Sequence, residues 1–339
     1  MFSLAEKFTK SGSNVLVAAD KPFKQQTEFD FFAVNVPRFV RSRTKRLALE
    51  IRRFQPNLTI CDSWKSVAAV PNHSGKLVVL AHGQEYLSPS IKRQNAIRKA
   101  LNRADLVVAS SAMTAHLVSQ ISTTVPVEVV YPTYMVTRAG QQPRTDRHLQ
   151  ETTLIVSLCR IEKRKGLLQS AKALLKLYKE GLKFTWKIAG SGPDSAQLEA
   201  FIQASEMADA CQFLGRVSDG EKDALLGSAN LFLMPSYQEG KSLEGFGISY
   251  IEAAKYGVPS IAGVVGGAPE AVLNGVTGWC VDGSSSDAIG EALRDALRNQ
   301  KKIREYGSAA RKRYIELFAG ETSFAKLLQL CHVTHDSEA

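Results

Sequence analysis

The chain has 339 residues, 44% hydrophobic and 22% charged, with 43 Lys and Arg against 33 Asp and Glu. That length exceeds a usual single core and favours two domains. No apolar run of about eighteen residues and no charged-then-apolar leader stands out, so neither a membrane span nor a secretory signal is indicated.

The N-terminal half carries the basic excess. Residues 1–150 hold 21 Lys and Arg against 10 Asp and Glu, net +11, and the remainder holds 22 against 23, net −1. An anionic partner is therefore expected on the first half. After the strand pattern "NVLVAAD", the stretch "RFVRSRTKRLALEIRRF" (38–54) repeats Val40, Leu47, Ile51 and Phe54 at helical spacing among seven basic residues and one acid. Arg38, Arg41, Arg43, Lys45 and Arg46 are its candidates for a membrane or acceptor surface. A second basic helix, "KRQNAIRKALNR" (92–103), has five basic residues and no acid. Each alone reads as a solvated helix, and the pair favours an anionic membrane surface. Nucleic acid is not expected, for there is no zinc pattern, recognition-helix module or aromatic ladder among the basic residues.

Strand patterns "NLTICDS", "KLVVLAHG", "ADLVVASS" and "VPVEVVYP" complete the first half. "CDSWKS" offers Trp64 and Lys65 to an acceptor, against the plainer reading of Trp64 as core. His82, at the end of "KLVVLAH", is a hydrogen-bonding candidate or a structural histidine. Ser110 and Ser111 precede a helical pattern and read as structural caps. The polar stretch 135–152 is the expected linker. "TLIVSLC", "FTWKIAG", "CQFLG", "ANLFLMPS" and "VPSIAG" follow it. The rhythm is that of parallel sheets covered by helices, an α/β fold of two Rossmann-like domains facing across a cleft.

In "EGFGISYIEAAKYG" (244–257) two glutamates flank a Gly-Phe-Gly turn and a short helix that Gly257 closes. Gly245 and Gly247 let a ligand approach the chain, and the helix start offers free N–H groups and a positive dipole end. Phosphates suit the turn, and hydroxyls suit the carboxylates of Glu244 and Glu252. Five cysteines, Cys61, Cys159, Cys211, Cys280 and Cys331, are scattered without metal-type spacing and are expected as reduced thiols in a cytoplasmic protein.

Six stretches in order resemble the retaining nucleotide-sugar glycosyltransferases of the GT-B fold, family 4: "SLCRIEKRKG", "IAGSGP", "FLGRVSDGE", "ANLFLMPSYQEG", "EGFGISYIEAAKYGVPSIA" with its Glu-x7-Glu spacing, and "GGAPEAVLNGVTGWCV". The resemblance covers residues 151–330 well and the first part loosely. It implies an acceptor domain over 1–145, a donor domain over 146–321, and a C-terminal helix, 322–339, that crosses back to the first domain. It implies Arg160 and Lys165 on the donor diphosphate, with Lys163 and Arg164 left as exposed loop residues. Gly190 and Val217 fall on the turns flanking the nucleotide. Backbone groups of Gly245, Phe246, Gly247 and Ile248 take the distal phosphate, Glu252 the ribose hydroxyls, Glu244 the transferred sugar, and His82 a sugar or acceptor hydroxyl. Arg160, Lys165, Glu244 and His82 are then the catalytic candidates. Leaving-group charge dominates such a barrier, and a guanidinium with an ammonium replaces a metal. No cofactor and no metal are expected, only a UDP- or GDP-sugar co-substrate.

Two departures stand out. The helix and second strand of the family pattern open the chain, so its first strand and glycines are expected to be absent or replaced, and Thr133-Tyr134 stands where the family has Asn-Gly. The leading expectation is hexose transfer to a membrane-associated glycolipid or polysaccharide precursor, peripheral on the inner face of a membrane. The alternatives are a soluble acceptor, an inactive binding module or an epimerase on the same architecture.

Overall fold

A computed structural model describes residues 2–19, 27–33, 41–72, 75–87, 90–135 and 152–331. Arg38, the side chain of Arg41, most of the expected linker and the tail after Cys331 lie outside the described residues. The chain forms two compact units, Met1–Met135 with Gly320–Ala339, and Val136–Ala319. The first therefore takes up the chain's closing helix, Gly320–Cys331.

In chain order the first unit runs α1 (Phe2–Lys10), β1 (Leu16–Ala19), β2 (Asp30–Ala33), α2 (Arg41–Phe54), β3 (Leu58–Cys61), β4 (Lys76–Ala81), α3 (Ile91–Leu101), β5 (Leu106–Ala109), α4 (Ala112–Ser119) and β6 (Val127–Val129). Its described strands make two parallel sheets, β1-β2 and β3-β4-β5-β6. The near-continuous apolar run of β4 is that of a strand covered on both faces. Alternate residues divide as strand geometry requires. Leu77, Val79 and Ala81 join Ile97, Leu101, Leu117 and Val118 in one cluster, and Val78 and Leu80 join Leu4, Phe8 and Leu327 in another.

Phe8 meets Phe324 edge to face at 5.2 Å, and Lys76 Nζ donates to Leu330 O at 2.8 Å. The hydroxyls of Thr133 and Ser323 lie 2.6 Å apart in the interior. That contact supplies a physical role for Thr133, a departure from the family pattern. Ser111 caps α4 by accepting from Thr114 N at 3.1 Å, as its position predicts. Strand β2, "DFFA", is an addition to the sequence-based pattern.

The second unit runs β7 (Thr153–Leu158), α5 (Leu167–Lys179), β8 (Phe184–Ala189), α6 (Ser195–Gln203), β9 (Cys211–Gly215), α7 (Asp219–Ser228), β10 (Leu231–Met234), α8 (Ile248–Lys255), β11 (Ser260–Gly263), α9 (Ala268–Ala271), β12 (Gly278–Val281), α10 (Ser286–Arg298) and α11 (Gln300–Arg313). Its six strands are parallel in the order β12-β11-β10-β7-β8-β9. Strand order reverses between β7 and β10, the point at which sheets of this kind bind ligands outside the carboxyl ends of their strands. Trp186 is fully buried in the core with Leu174, Ile289 and Leu293, and its Nε1 donates to Ser157 Oγ at 3.0 Å. Tyr250 and Phe232 meet edge to face at 5.9 Å, which sets α8 on β10.

Candidate active site

The two loops at the switch point bring the predicted residues together. After β7 the chain passes Cys159 to Gly166, and after β10 it passes Pro235 to Gly247. Gly190 packs the β8 loop onto the first of these with φ +130°, where a Cβ would stand 1.8 Å from Cys159 O. Gly247 precedes α8 at φ +89°, the left-handed region that its side-chain-free backbone enters without strain. Gly267 N donates to Glu244 O at 2.9 Å and ties the Glu244 backbone down.

Five charged side chains alternate across the loops. Arg160 Nε lies 3.7 Å from Glu162, Arg164 Nε lies 2.7 Å from Glu162 Oε1, and Arg164 Nη1 donates to Glu244 Oε2 at 3.2 Å. Lys165 Nζ donates to the same Glu244 oxygen. Exposure falls along the row, from 70% for the Arg160 side chain to 9% for Lys165. Three cations and two carboxylates leave a net positive charge, most of it in a partly desolvated place where a charge-assisted contact is strong. Arg164 is a correction to the sequence reading, which left it in solvent. Its side chain is 15% exposed and lies between two carboxylates, ion-paired with Glu162 and hydrogen-bonded to Glu244. Arg160, by contrast, sits at the exposed end, and among the described residues it is linked to Glu244 through Glu162 and Arg164.

Glu252 lies just over one turn into α8, largely buried, and Lys222 Nζ donates to its Oε1 at 2.7 Å. Burial works against the charge on Lys222, yet Glu252 and Asp219 outweigh it and raise its pKa above the ordinary lysine value. Val217 is half-buried in the turn after β9, beside the Ser218–Glu221 capping box of α7. Phe246 is buried with its ring 5.8 Å from that of Phe318. Cys159 stands behind the charged row, and burial pushes its thiol up to about 12 against the opposing pull of Lys165.

The remaining candidates belong to the first unit. His82 is exposed, with Nε2 3.0 Å from Asp62 O, and its backbone N–H donates to Glu85 Oε1 at 2.9 Å. A carbonyl only accepts, so Nε2 carries the proton and Nδ1 of the neutral ring is an acceptor. Trp64 packs against the core with its indole N–H unpartnered among the described residues, and Lys65 Nζ lies 5.9 Å above its ring. Lys45 and Arg46 are exposed on α2, and Arg43 is half-buried. Arg164 and Lys222 are the partners that sequence reasoning missed. Their positions in a basic run and a first helical turn are visible, but the loops and helices they reach are not.

The second unit is a parallel sheet whose switch point gathers a basic loop and a Glu-x7-Glu helix start. The description "Glycosyl transferases group 1" matches residues 141–313, and the chain belongs to that family of glycosyltransferases. Over 265 residues the chain is 31% identical to the GDP-mannose-dependent alpha-(1-6)-phosphatidylinositol monomannoside mannosyltransferase of Mycolicibacterium smegmatis, covering 75% of this chain and 69% of that one. With the Mycobacterium tuberculosis protein of the same description it shares 33% over 56% of its own length and 50% of that relative's. In fold it resembles a glycosyltransferase of Rickettsia africae, TM-score 0.78 at 18% identity over 97% of this chain and 92% of that chain. It also resembles Anabaena HepE in complex with UDP and glucose, TM-score 0.75 at 18% identity over 97% and 94%. Among the described residues, no helix is long and apolar enough to cross a membrane, and no group of three or more His, Cys, Asp and Glu is placed to hold a metal ion.

Proposed function

We propose that the chain transfers a hexose from a nucleotide-diphosphate sugar, GDP-mannose foremost, to a membrane-associated glycolipid or polysaccharide precursor, with retention of anomeric configuration and without a metal. The observation that carries this reading is the row Arg164–Glu244–Lys165 at the switch point of the second unit. Glu244 holds the two cations in place before a donor arrives. An incoming diphosphate gives each of them a second, stronger acceptor, and its charge grows as the glycosidic bond breaks. Glu244 then turns to hydroxyls of the sugar, Glu252 accepts from the ribose, and backbone N–H groups near Gly247 and Ile248 take the distal phosphate. The departing phosphate oxygen helps to take the acceptor proton, and His82 accepts from a hydroxyl through Nδ1.

GDP-mannose is favoured over a UDP-sugar because the mycobacterial relatives are described as GDP-mannose-dependent. The lipid side rests on the first unit. On α2, Lys45, Arg46, Arg52 and Arg53 are exposed on one face, with Leu49, 55% exposed, among them. Ile91, 78% exposed, begins α3 beside the exposed Lys92 and Arg93. Basic residues around exposed apolar ones suit an anionic bilayer, on whose cytoplasmic face the protein is proposed to work. The test is transfer of labelled mannose from GDP-mannose to phosphatidylinositol mannosides in vesicles, with and without EDTA, and the anomer read by NMR. Metal-independent transfer with retention supports the proposal, and inversion, or activity abolished by EDTA and restored by a metal, contradicts its mechanism.

A further inference from the structure

Glu252 does not stand alone on α8. Helices α7 and α8 are joined by crossed pairs, each helix giving one acid and one lysine. Lys222 of α7 reaches Glu252 of α8 at 2.7 Å, and Lys255 of α8 lies 3.4 Å from Asp223 of α7. Lys255 is 1% exposed, its Nζ 5.0 Å over the Tyr256 ring, so its charge is compensated by Asp223 and the aromatic face within the interior. A shift of α8 along α7 or a turn about its axis breaks both pairs. Lys222 is itself steadied by Asp219 at 3.0 Å in the first turn of α7. Its Nζ occupies Oε1 of Glu252, and no hydrogen bond among the described residues reaches Oε2.

We propose that Lys222 is a positioning residue for nucleotide recognition. It holds one oxygen of Glu252 so that the other faces outward as a fixed acceptor for a vicinal diol, and thereby sets the discrimination of ribonucleotides from their deoxy analogues. This rests on the reading of Glu252 as the ribose acceptor. A carboxylate fixed in one rotamer loses no side-chain freedom on binding and keeps its acceptor geometry. The device works through Glu252, so Lys222 itself touches no ligand.

The experiment measures binding of GDP and of 2′,3′-dideoxy-GDP by calorimetry to the wild type, Glu252→Gln, Lys222→Met and Lys222→Arg, each shown to be folded by circular dichroism. A hydrogen bond to a charged group implies that wild type favours GDP by about tenfold or more. In Lys222→Met that preference is expected to fall to about threefold or less, and Lys222→Arg to restore most of it. A Lys222→Met protein that keeps the full preference, or binds GDP more tightly than wild type, overturns the proposal. If Glu252→Gln also keeps the full preference, the ribose reading of Glu252 falls with it. If Glu252→Gln abolishes the preference and Lys222→Met does not, only the role of Lys222 fails. Should Lys222→Met not fold, Lys222→Gln takes its place under the same criteria.

Discussion

At the residue scale the charged row at the switch point is the most exacting feature. Glu244 accepts from both Arg164 and Lys165 through one oxygen, so removing either cation leaves the carboxylate turned toward the other. Each cation is proposed to meet the leaving diphosphate, and the loss of one such donor costs about a hundredfold to a thousandfold in rate. Lys165→Ala is expected to lower kcat/KM in that range, and Arg164→Ala to do so at the lower end, in a transfer assay on folded protein. An Arg164→Ala enzyme of wild-type rate would return that residue to the surface role its sequence suggested. The thiols give a second test. Burial pushes Cys61, Cys159 and Cys211 up to about 12, whereas unfolded thiols titrate near ~8.5. The folded state holds these protons more tightly, so their contribution to stability is complete below ~8.5 and is lost as pH rises toward 12. Denaturant midpoints are expected to fall between pH 8 and 10, and alkylation at pH 8 to be slow until the chain unfolds. Rapid labelling of Cys159 in native protein would contradict this.

Elements show where sequence is informative and where it is not. "KLVVLA" and "TLIVSL" announce buried parallel strands because both faces need apolar side chains, and both appear where expected. "DFFA" and "GWCV" form strands of four residues at sheet edges, too short to impose a period. The helix from Ile248 was legible because Gly247 and Gly257 bracket it. Arg164 and Lys222 were not, because a side chain leaving a turn or a first helical turn takes its direction from the neighbour it meets. Lys165 and Glu244 were marked by resemblance, while their contact belongs to the crossing of two loops 79 residues apart in sequence. Glycines separate tight positions from open ones in the same way. Gly190→Ala is expected to destabilise severely, since φ +130° and the Cys159 carbonyl both exclude a Cβ. Gly220→Ala, in open space on α7, is expected to gain up to about 1 kcal/mol. Urea unfolding of the two variants checks the contrast, and equal behaviour would contradict the packing described for the β8 loop. Thr133→Ala removes the partner that the buried Ser323 hydroxyl has among the described residues and is expected to cost about 1–3 kcal/mol by the same measurement.

For the whole molecule, charge and chemistry divide between the units. The second unit, with 24 Lys and Arg against 21 Asp and Glu, is the one proposed to take the donor, and the more basic first unit, with 19 against 12, carries the exposed faces of α2 and α3. Binding to anionic vesicles is expected to weaken as salt rises and to fall in a protein with Arg46, Arg52 and Arg53 changed to Ser, with nucleotide binding unaffected. Sedimentation with phosphatidylglycerol vesicles at low and high salt measures it, and salt-insensitive binding would set the basic face aside. The family and the α/β fold were legible because six stretches recur in order. The acceptor was not, because it rests on a surface whose charge attracts many anions alike. Transfer of any kind requires the donor site. A calorimetric and thermal-shift panel of GDP, UDP, ADP and their common sugar conjugates, without metal, on wild type and Glu252→Ala tests it most directly. One nucleotide, GDP foremost, is expected to bind and raise the melting temperature, and Glu252→Ala to lose both effects. Folded wild-type protein that binds none of them, or a Glu252→Ala protein that binds as wild type does, would contradict it.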